Sequence, residues 1–531
     1  MATLSRVSIT QTLGAKYSPS PHLISLIASG ASVKTILSWC NTSNIDEKRT
    51  PEGVLSPDGI TPLYCAIKCN REDVALALLE RGASSSETSG VDQCAPLHLV
   101  CYLGLEALAE ELLQRGALVN QPTKAGLSPL MYVLMSKKEK PDHLRIAKTL
   151  LRWGADVKAT DGQGYHAIHH ACRHPNEAIL SLLDHHCSGL LNTVTPDGQT
   201  CMLLAVGTNL LDHVRYLLER DVDVNAVTFT SDEILLRSDN NPVGISALHR
   251  ACQLGYADMV SLLLDHGAEI HKQNLKQIPF IPLHEACQFG HLDVVRILVD
   301  RGADIERVTD DLSNDETNQI SPLCIAALQG HLNVVEYLLQ QKADPNGVSG
   351  AGRATPLHTL CNPNLRTEKG NLNRGAMIKL LVRGGADVEQ LSRQKATPLF
   401  LAIKYRDFES ARTLLLLGAD PNSINLEQQI TPLHRAIQNQ DLKITSLLYN
   451  HRANLNQTSG GFTLLAIAYA RAQQLPHISL APPLSLPCRI DCVPNPATTQ
   501  NPIIQFLIRH GARLILHCEL DENGSCTAQP N

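Results

Sequence analysis

Histidine and cysteine recur in this chain at a spacing that could hold a metal. The pattern His-x-x-Cys appears at His98/Cys101, His169/Cys172, His249/Cys252, His284/Cys287 and His358/Cys361. Zinc takes imidazole nitrogen and thiolate sulfur as ligands, so each pair offers two of the four a structural site needs. The densest tract is His166-Ala-Ile-His169-His170-Ala-Cys172-Arg-His174. A separate cysteine pair, Cys488-Arg-Ile-Asp-Cys492, lies among prolines and has no second pair to complete it. For other chemistry the residues are poorly grouped. There is no glycine-rich phosphate loop and no Gly-x-Ser-x-Gly elbow, so neither nucleotide nor acyl-transfer chemistry is indicated.

The elements that would position these residues decide the matter. Each pair occupies the same place in a phrase that runs Thr-Pro-Leu-His, small residues, a Leu-rich stretch, then Gly-Ala-Asp. Taking the Pro or its equivalent as anchor gives Pro62, Pro96, Pro129, Ala167, Cys201, Ala247, Pro282, Pro322, Pro356, Pro398, Pro432 and Leu464, mostly 33 to 35 residues apart. The closing Gly or its equivalent falls twenty residues later in nine of the twelve units: Gly82, Gly116, Cys187, Asp221, Gly267, Gly302, Lys342, Gly418 and Arg452. The other three carry insertions and close at Gly154, Gly385 and Gly511. A phrase at fixed period signals a stacked array, because no single repeat can bury its own apolar face. Each His and Cys pair then belongs to a different unit and cannot converge with the others, so no metal site and no cofactor are expected. Only His166, His170 and His174 stand outside the register.

Within a unit the residue types dictate two helices. Thr or Ser before Pro starts the first: the hydroxyl accepts from an orphan backbone N–H, and Pro suits the first helical position. Thr61, Ser128, Ser321, Thr355, Thr397 and Thr431 fill that role. The units at His166-Ala167 and Ile245-Ser246-Ala247 lack the full signal and are expected to be softer joints. The second run, such as Val334-Val-Glu-Tyr-Leu-Leu339, has helical apolar spacing, and the Gly after it suits a left-handed end. Asn120, Asn225, Asn346, Asn422 and Asn456 then read as turn entries. The array from 57 to 516 resembles the ankyrin repeat family, whose period is about 33 residues with a Thr-Pro-Leu-His signature. The resemblance implies an all-α repeat solenoid of stacked helix-turn-helix units with projecting hairpin loops and a concave face. It also implies that the phrase histidine bonds to neighbouring backbone.

Composition bounds the rest. The chain has 531 residues, 43% hydrophobic but only 4% aromatic, as suits small repeats packed by Leu, Ala, Val and Ile. A formal net charge of −6 provides no dominant basic face, which argues against nucleic acid as partner. No apolar run is long enough to span a membrane, and the N-terminus lacks a signal pattern. Of the sixteen cysteines, Cys101, Cys172, Cys252, Cys287 and Cys361 occupy a small core position, which fits reduced thiols in a cytoplasmic or nuclear protein. Residues 1–56 are expected to include a degenerate capping repeat, with His22 to Val33 as the end of a unit whose first half is not visible. Residues 517–531 read as a polar tail. Insertions at 136–141, 226–242, 307–318 and 362–374 and a Pro-rich break at 472–500 read as loops.

The function indicated is a non-enzymatic scaffold for protein partners, acting as a monomer. By the resemblance, contacts vary at the residue before the capping Thr and at the two residues before the Gly that ends the first helix. Here those are Ile245, Phe280, Ile320 and Ile430 on the tips, and Gln253, Leu254, Gln288, Phe289, Leu328, Gln329, Lys404 and Tyr405 on the helices. The alternative is a substrate-recognition subunit of a ubiquitin ligase, although neither an F-box nor a SOCS box is visible in residues 1–53 or 515–531. The resemblance also makes Asn225 a candidate for asparaginyl hydroxylation.

Overall fold

The computed structural model describes residues 23–40, 44–47, 59–136, 141–187, 189–227, 244–274, 279–309, 319–349, 353–362, 373–459, 462–472, 501–512, 519–520 and 526–527. The chain divides into two compact units, Met1–Arg237 and Ser238–Asn531. Each is a run of antiparallel helix pairs.

All twelve anchors are the first residue of a helix. In the first unit the pairs begin at Leu23–Ala28 with Val33–Trp39, and continue through Pro62–Lys68 with Glu72–Glu80 to Cys201–Gly207 with Leu211–Leu218. In the second unit they run from Ala247–Leu254 with Ala257–Asp265 to Leu464–Ala472 with Pro502–Arg509. First helices pack on first helices and second helices on second helices, the arrangement of an all-α repeat solenoid. Among the described residues strands are confined to two-residue ladders, Thr458–Ser459 with Phe462–Thr463 and Glu519–Leu520 with Cys526–Thr527. Isolated bridges such as Ser89 with Cys94 and Asn425 with Ile430 close the hairpin tips.

The caps form as their residue types require. Thr61, Ser128, Ser321, Thr397 and Thr431 each accept the backbone N–H three residues on. Thr355 instead turns its hydroxyl to His358 Nδ1 at 2.8 Å. The unit at Ala247 is properly capped, since Ser246 Oγ accepts from the backbone of His249. The apolar residues of both helices form the core: Leu283, Ala286, Cys287, Val294 and Leu298 are all fully buried. Burying one leucine in this way contributes about 1.5–3 kcal/mol.

Glycine is required where first helices end. Gly255 and Gly290 hold φ of 75° and 76°, and a Cβ on either would run into the imidazole of His291 or His331 from the following unit. Those rings donate to Gln253 O and Gln288 O at 3.0 and 3.1 Å, so the close approach makes an inter-unit bond.

Two expectations change. The segment around Gly30 is not the end of a unit. Leu23–Ala28 packs on Pro62–Lys68 as a first helix, and Gly30, at φ 78°, ends it before the second helix begins at Val33. Gly-Ala closes either helix of a pair, which is why the sequence pattern misassigns it. Cys187 is not left-handed either: its φ is −135°, and Gly189 takes φ 95° two residues later. Most inserted residues, and the Cys488/Cys492 pair, lie outside the described residues.

Candidate functional site: hairpin tips and inner helix ends

The phrase histidines are consumed by the framework. In His98, His169, His249, His284 and His358 the Nδ1 accepts the backbone N–H of the helix N-cap residue, at 3.1–3.3 Å. The protonated Nε2 then donates across to the next hairpin: to Leu127 O, Thr193 O, Phe280 O, Arg307 O and Ala396 O, at 2.8–3.3 Å. With both ring nitrogens committed, none can ligate a metal without breaking an inter-unit bond. Burial pushes His98 below its ordinary range and holds His169 and His358 at about 4, so these rings are neutral. The paired cysteines are buried in other directions, where loss of water raises every one of their thiols.

The three histidines outside the register have framework partners too. His166 Nδ1 donates to Lys158 O at 2.9 Å, and His174 Nδ1 accepts from Asn176 N at 3.1 Å. His170 Nε2 donates to Asp161 Oδ2 at 2.9 Å. Burial opposes ionisation of Asp161, but bonds from His170, Tyr165 and Gln163 outweigh it and hold the carboxyl below its usual range. Among the described residues no three His, Cys, Asp or Glu side chains are grouped to hold a metal ion. The turn asparagines are clamps. Asn120, Asn346 and Asn422 donate from Nδ2 to Gly154 O, Gly385 O and Arg452 O. Their Oδ1 accepts from the backbone of Asp156, Asp387 and Asn454 at 2.7–2.8 Å.

What remains for a partner is the row of hairpin tips and inner helix ends. The expected contact residues divide there. Ile245 and Ile430 are buried, 4% and 0% exposed, which leaves little of either side chain for a partner to touch. Phe280 and Ile320 are half-buried, with backbones bonded to Asn274 and Thr309. Gln253, Leu254, Gln288, Leu328, Gln329, Lys404 and Tyr405 are half-buried. Phe289 is the most open, 47% exposed, its ring stacked against His291. Lys404 lies over the Tyr405 ring at 5.4 Å from its centroid.

Sequence reasoning named Lys404 and missed the set of cations around it on the same row. Residues 391–406 contain Arg393, Lys395, Lys404 and Arg406 and no carboxylate. Arg353 extends the set to the preceding unit; in the following unit Arg435 lies mid-helix, half-buried, with Nη2 donating to Gln428 Oε1 and the guanidinium over the Phe400 ring. Arg353, Lys395 and Arg406 have left-handed backbones, φ 45°, 51° and 60°. The residues three before the anchor are Gly126, Gly164, Gly198 and Gly244 in other units, and those eight after it are Gly104, Gly255, Gly290 and Gly330, all likewise left-handed. A cation where register favours glycine was a signal available in the sequence.

Comparison with known proteins agrees with this architecture. A family model described as ankyrin repeats in three copies matches residues 130–228 and 232–309; one for many copies matches 399–449; a single-repeat model matches 58–88 and 318–349. The chain is 36% identical over 136 residues to B-cell lymphoma 3 protein homolog of Mus musculus, covering 25% of this chain and 27% of that protein. It is 32% identical over 245 residues to B-cell lymphoma 3 protein of Homo sapiens, covering 40% and 51%. Ankyrin repeat and SOCS box protein 16 of Homo sapiens is 32% identical over 121 residues, covering 23% and 24%. The chain thus spans about half the length, or less, of these relatives. Twelve helix starts in one register, inter-unit histidine bonds and the matched family models lead to one assignment: the chain belongs to the ankyrin repeat family.

Proposed function

We propose that this protein is a non-enzymatic scaffold that binds partner proteins along its hairpin tips and inner helix ends. The carrying observation is Phe289, a large apolar side chain 47% exposed at an inner helix end. Leu254 holds the same position in the preceding unit and Leu328 lies one position earlier in the following unit, both half-buried. An exposed apolar strip of this kind is a usual partner site, and a few aromatic anchors carry most of the binding energy. The histidines and cysteines that suggested chemistry are used in the framework, which supports a binding role over a catalytic one. The replacement Phe289→Ala with Tyr405→Ala is expected to weaken recovery of partners roughly tenfold and to leave the melting curve nearly unchanged. A large loss of stability would make these side chains core and end the reading.

A second reading, a substrate-recognition subunit of a ubiquitin ligase, rests on the similarity to a relative whose name includes a SOCS box. Co-purification with ligase scaffold subunits would favour it. Within the scaffold reading, the chain works as a monomer in the cytoplasm or nucleus. Among the described residues no helix is long and apolar enough to cross a membrane. Asn225, half-buried with its N–H donated to Asp223 Oδ1 at 2.8 Å, is the candidate for hydroxylation. Unmodified Asn225 in peptides from cells containing the hydroxylase would remove it.

A further inference from the structure

We propose that the cations on the tips and inner helix ends of the units anchored at Pro356, Pro398 and Pro432 bind an acidic, extended segment of a partner protein. This rests on the scaffold reading and names the partner chemistry of one stretch of that row. The first observation is charge segregation. Residues 353–362, 391–406 and 425–440 carry Arg353, Arg393, Lys395, Lys404, Arg406 and Arg435 against one carboxylate, Glu427. The chain as a whole has more acids than bases, 52 Asp and Glu against 46 Lys and Arg, so the strip is local and not a reflection of composition. Over the same span, three before the anchor to eight after, 395–406 carries Lys395, Lys404 and Arg406, whereas 244–255, 279–290 and 319–330 together carry only Arg250 and the fully buried Glu285.

The second observation is backbone conformation. Three of the six cations hold left-handed φ at register positions where other units have glycine, glutamine or asparagine. An L residue there costs roughly 1–2 kcal/mol relative to the right-handed region. Asn70, Gln93, Asn209, Gln429 and Gln440 carry the same cost at these turn positions, so the feature particular to these units is that the exposed side chain there is a cation. No carboxylate lies within ion-pairing distance of Lys395, Lys404 or Arg406 among the described residues. The nearby Asp407 is occupied, pairing with Arg374 at 2.5 Å and capping its own helix through Ser410 N.

The third observation is continuity. The tips of successive units are joined by Asn425 Nδ2 donating to Gln394 O and Lys395 O at 3.0 and 3.1 Å. The inner helix ends are joined by Asn439 Nδ2 donating to Ile403 O at 2.7 Å. A segment crossing the units therefore meets one group of cations after another, with Tyr405 as an apolar contact among them. Such a segment fits better than nucleic acid. Six cations are few for a phosphate backbone, and the net charge of −6 repels a long polyanion.

The test uses the full chain and a fluorescent peptide rich in Glu with spaced leucines, read by anisotropy. Binding is expected, weakening as salt rises. The triple replacement R393E/K395E/R406E should weaken it at least tenfold, with melting unchanged. K124E/K158E/K379E changes the net charge equally at exposed sites elsewhere and should leave affinity within about twofold. Equal loss in both triples would mean a general field and overturn the proposal, as would binding of a lysine-for-glutamate peptide or tighter binding of a DNA duplex. If natural partners are lost with Phe289→Ala and Tyr405→Ala but retained by R393E/K395E/R406E, the scaffold reading stands and this inference fails. If neither variant loses them, the scaffold reading itself fails.

Discussion

The strips at 244–330 and 353–440 share one framework and differ in almost everything they expose. Both repeat the same first-helix register and the same buried leucines, and each contains a histidine bridge to the next hairpin, from His249 and His284 in the earlier strip and from His358 in the later. The earlier strip ends its inner helices in Gly255, Gly290 and Gly330 and offers Phe289 among neutral residues. At the helix end the later strip has Arg406 and Gln440, and three before the anchor it has Arg353, Lys395 and Gln429 where the earlier strip has Gly244, Pro279 and Gln319, so it offers charge. Identical framework residues therefore carry no information about the partner. The positions where the strips diverge carry it.

The sharpest way to break that comparison is to damage the framework in both strips. Leu283→Ala and Leu399→Ala remove equivalent, fully buried side chains. Each is expected to cost about 2–5 kcal/mol in denaturant unfolding, and the two costs should agree within about 1 kcal/mol. A cost in one strip and none in the other would mean the framework is not shared.

The histidine bridge sharpens the comparison further. His284 uses both ring nitrogens, whereas Nε2 of His434 is buried with no acceptor among the described residues. His284→Ala should cost about 2 kcal/mol and His434→Ala about 1 kcal/mol. Burial also holds His358 and His434 at about 4, below the open-chain value of about 6.5. The unfolded chain therefore binds more protons between those values. Stability is full above about pH 6.5 and falls as pH drops toward 4, by up to about 1.4 kcal/mol per pH unit for each such ring. Unfolding midpoints measured across that window, with and without His434→Ala, check the sign: the variant should be less acid-sensitive than the parent.

The framework was legible because capping and helix period are local. Thr or Ser, then Pro, then Leu specified six of the twelve first-helix starts, Pro96 and Pro282 kept the Pro-Leu alone, and the four non-proline starts at Ala167, Cys201, Ala247 and Leu464 followed from register. The role of His and Cys was legible for the same reason. Burial at the tips was not. Ile245 and Phe280 hold the same register position, yet only Ile245 is buried. The outcome depends on tertiary packing, which no local rule specifies. The cationic strip was legible in principle. Residues 391–406 show it once the left-handed positions are known, and those emerge from backbone angles more readily than from residue types.

The central claim is that framework and function reside on different residues, even in competition where a cation occupies a glycine position. The most direct measurement sets stability and affinity side by side for the triple replacement R353G/K395G/R406G. Glycine relieves a left-handed penalty of about 1–2 kcal/mol and adds an entropy cost of about 0.5–1 kcal/mol, so stability should rise by roughly 0.5 kcal/mol per site. Affinity for the acidic peptide should fall at least tenfold. Opposite movements of the two quantities are the predicted result. A variant that loses stability, or that gains it and binds the peptide as tightly as the parent, would contradict the account.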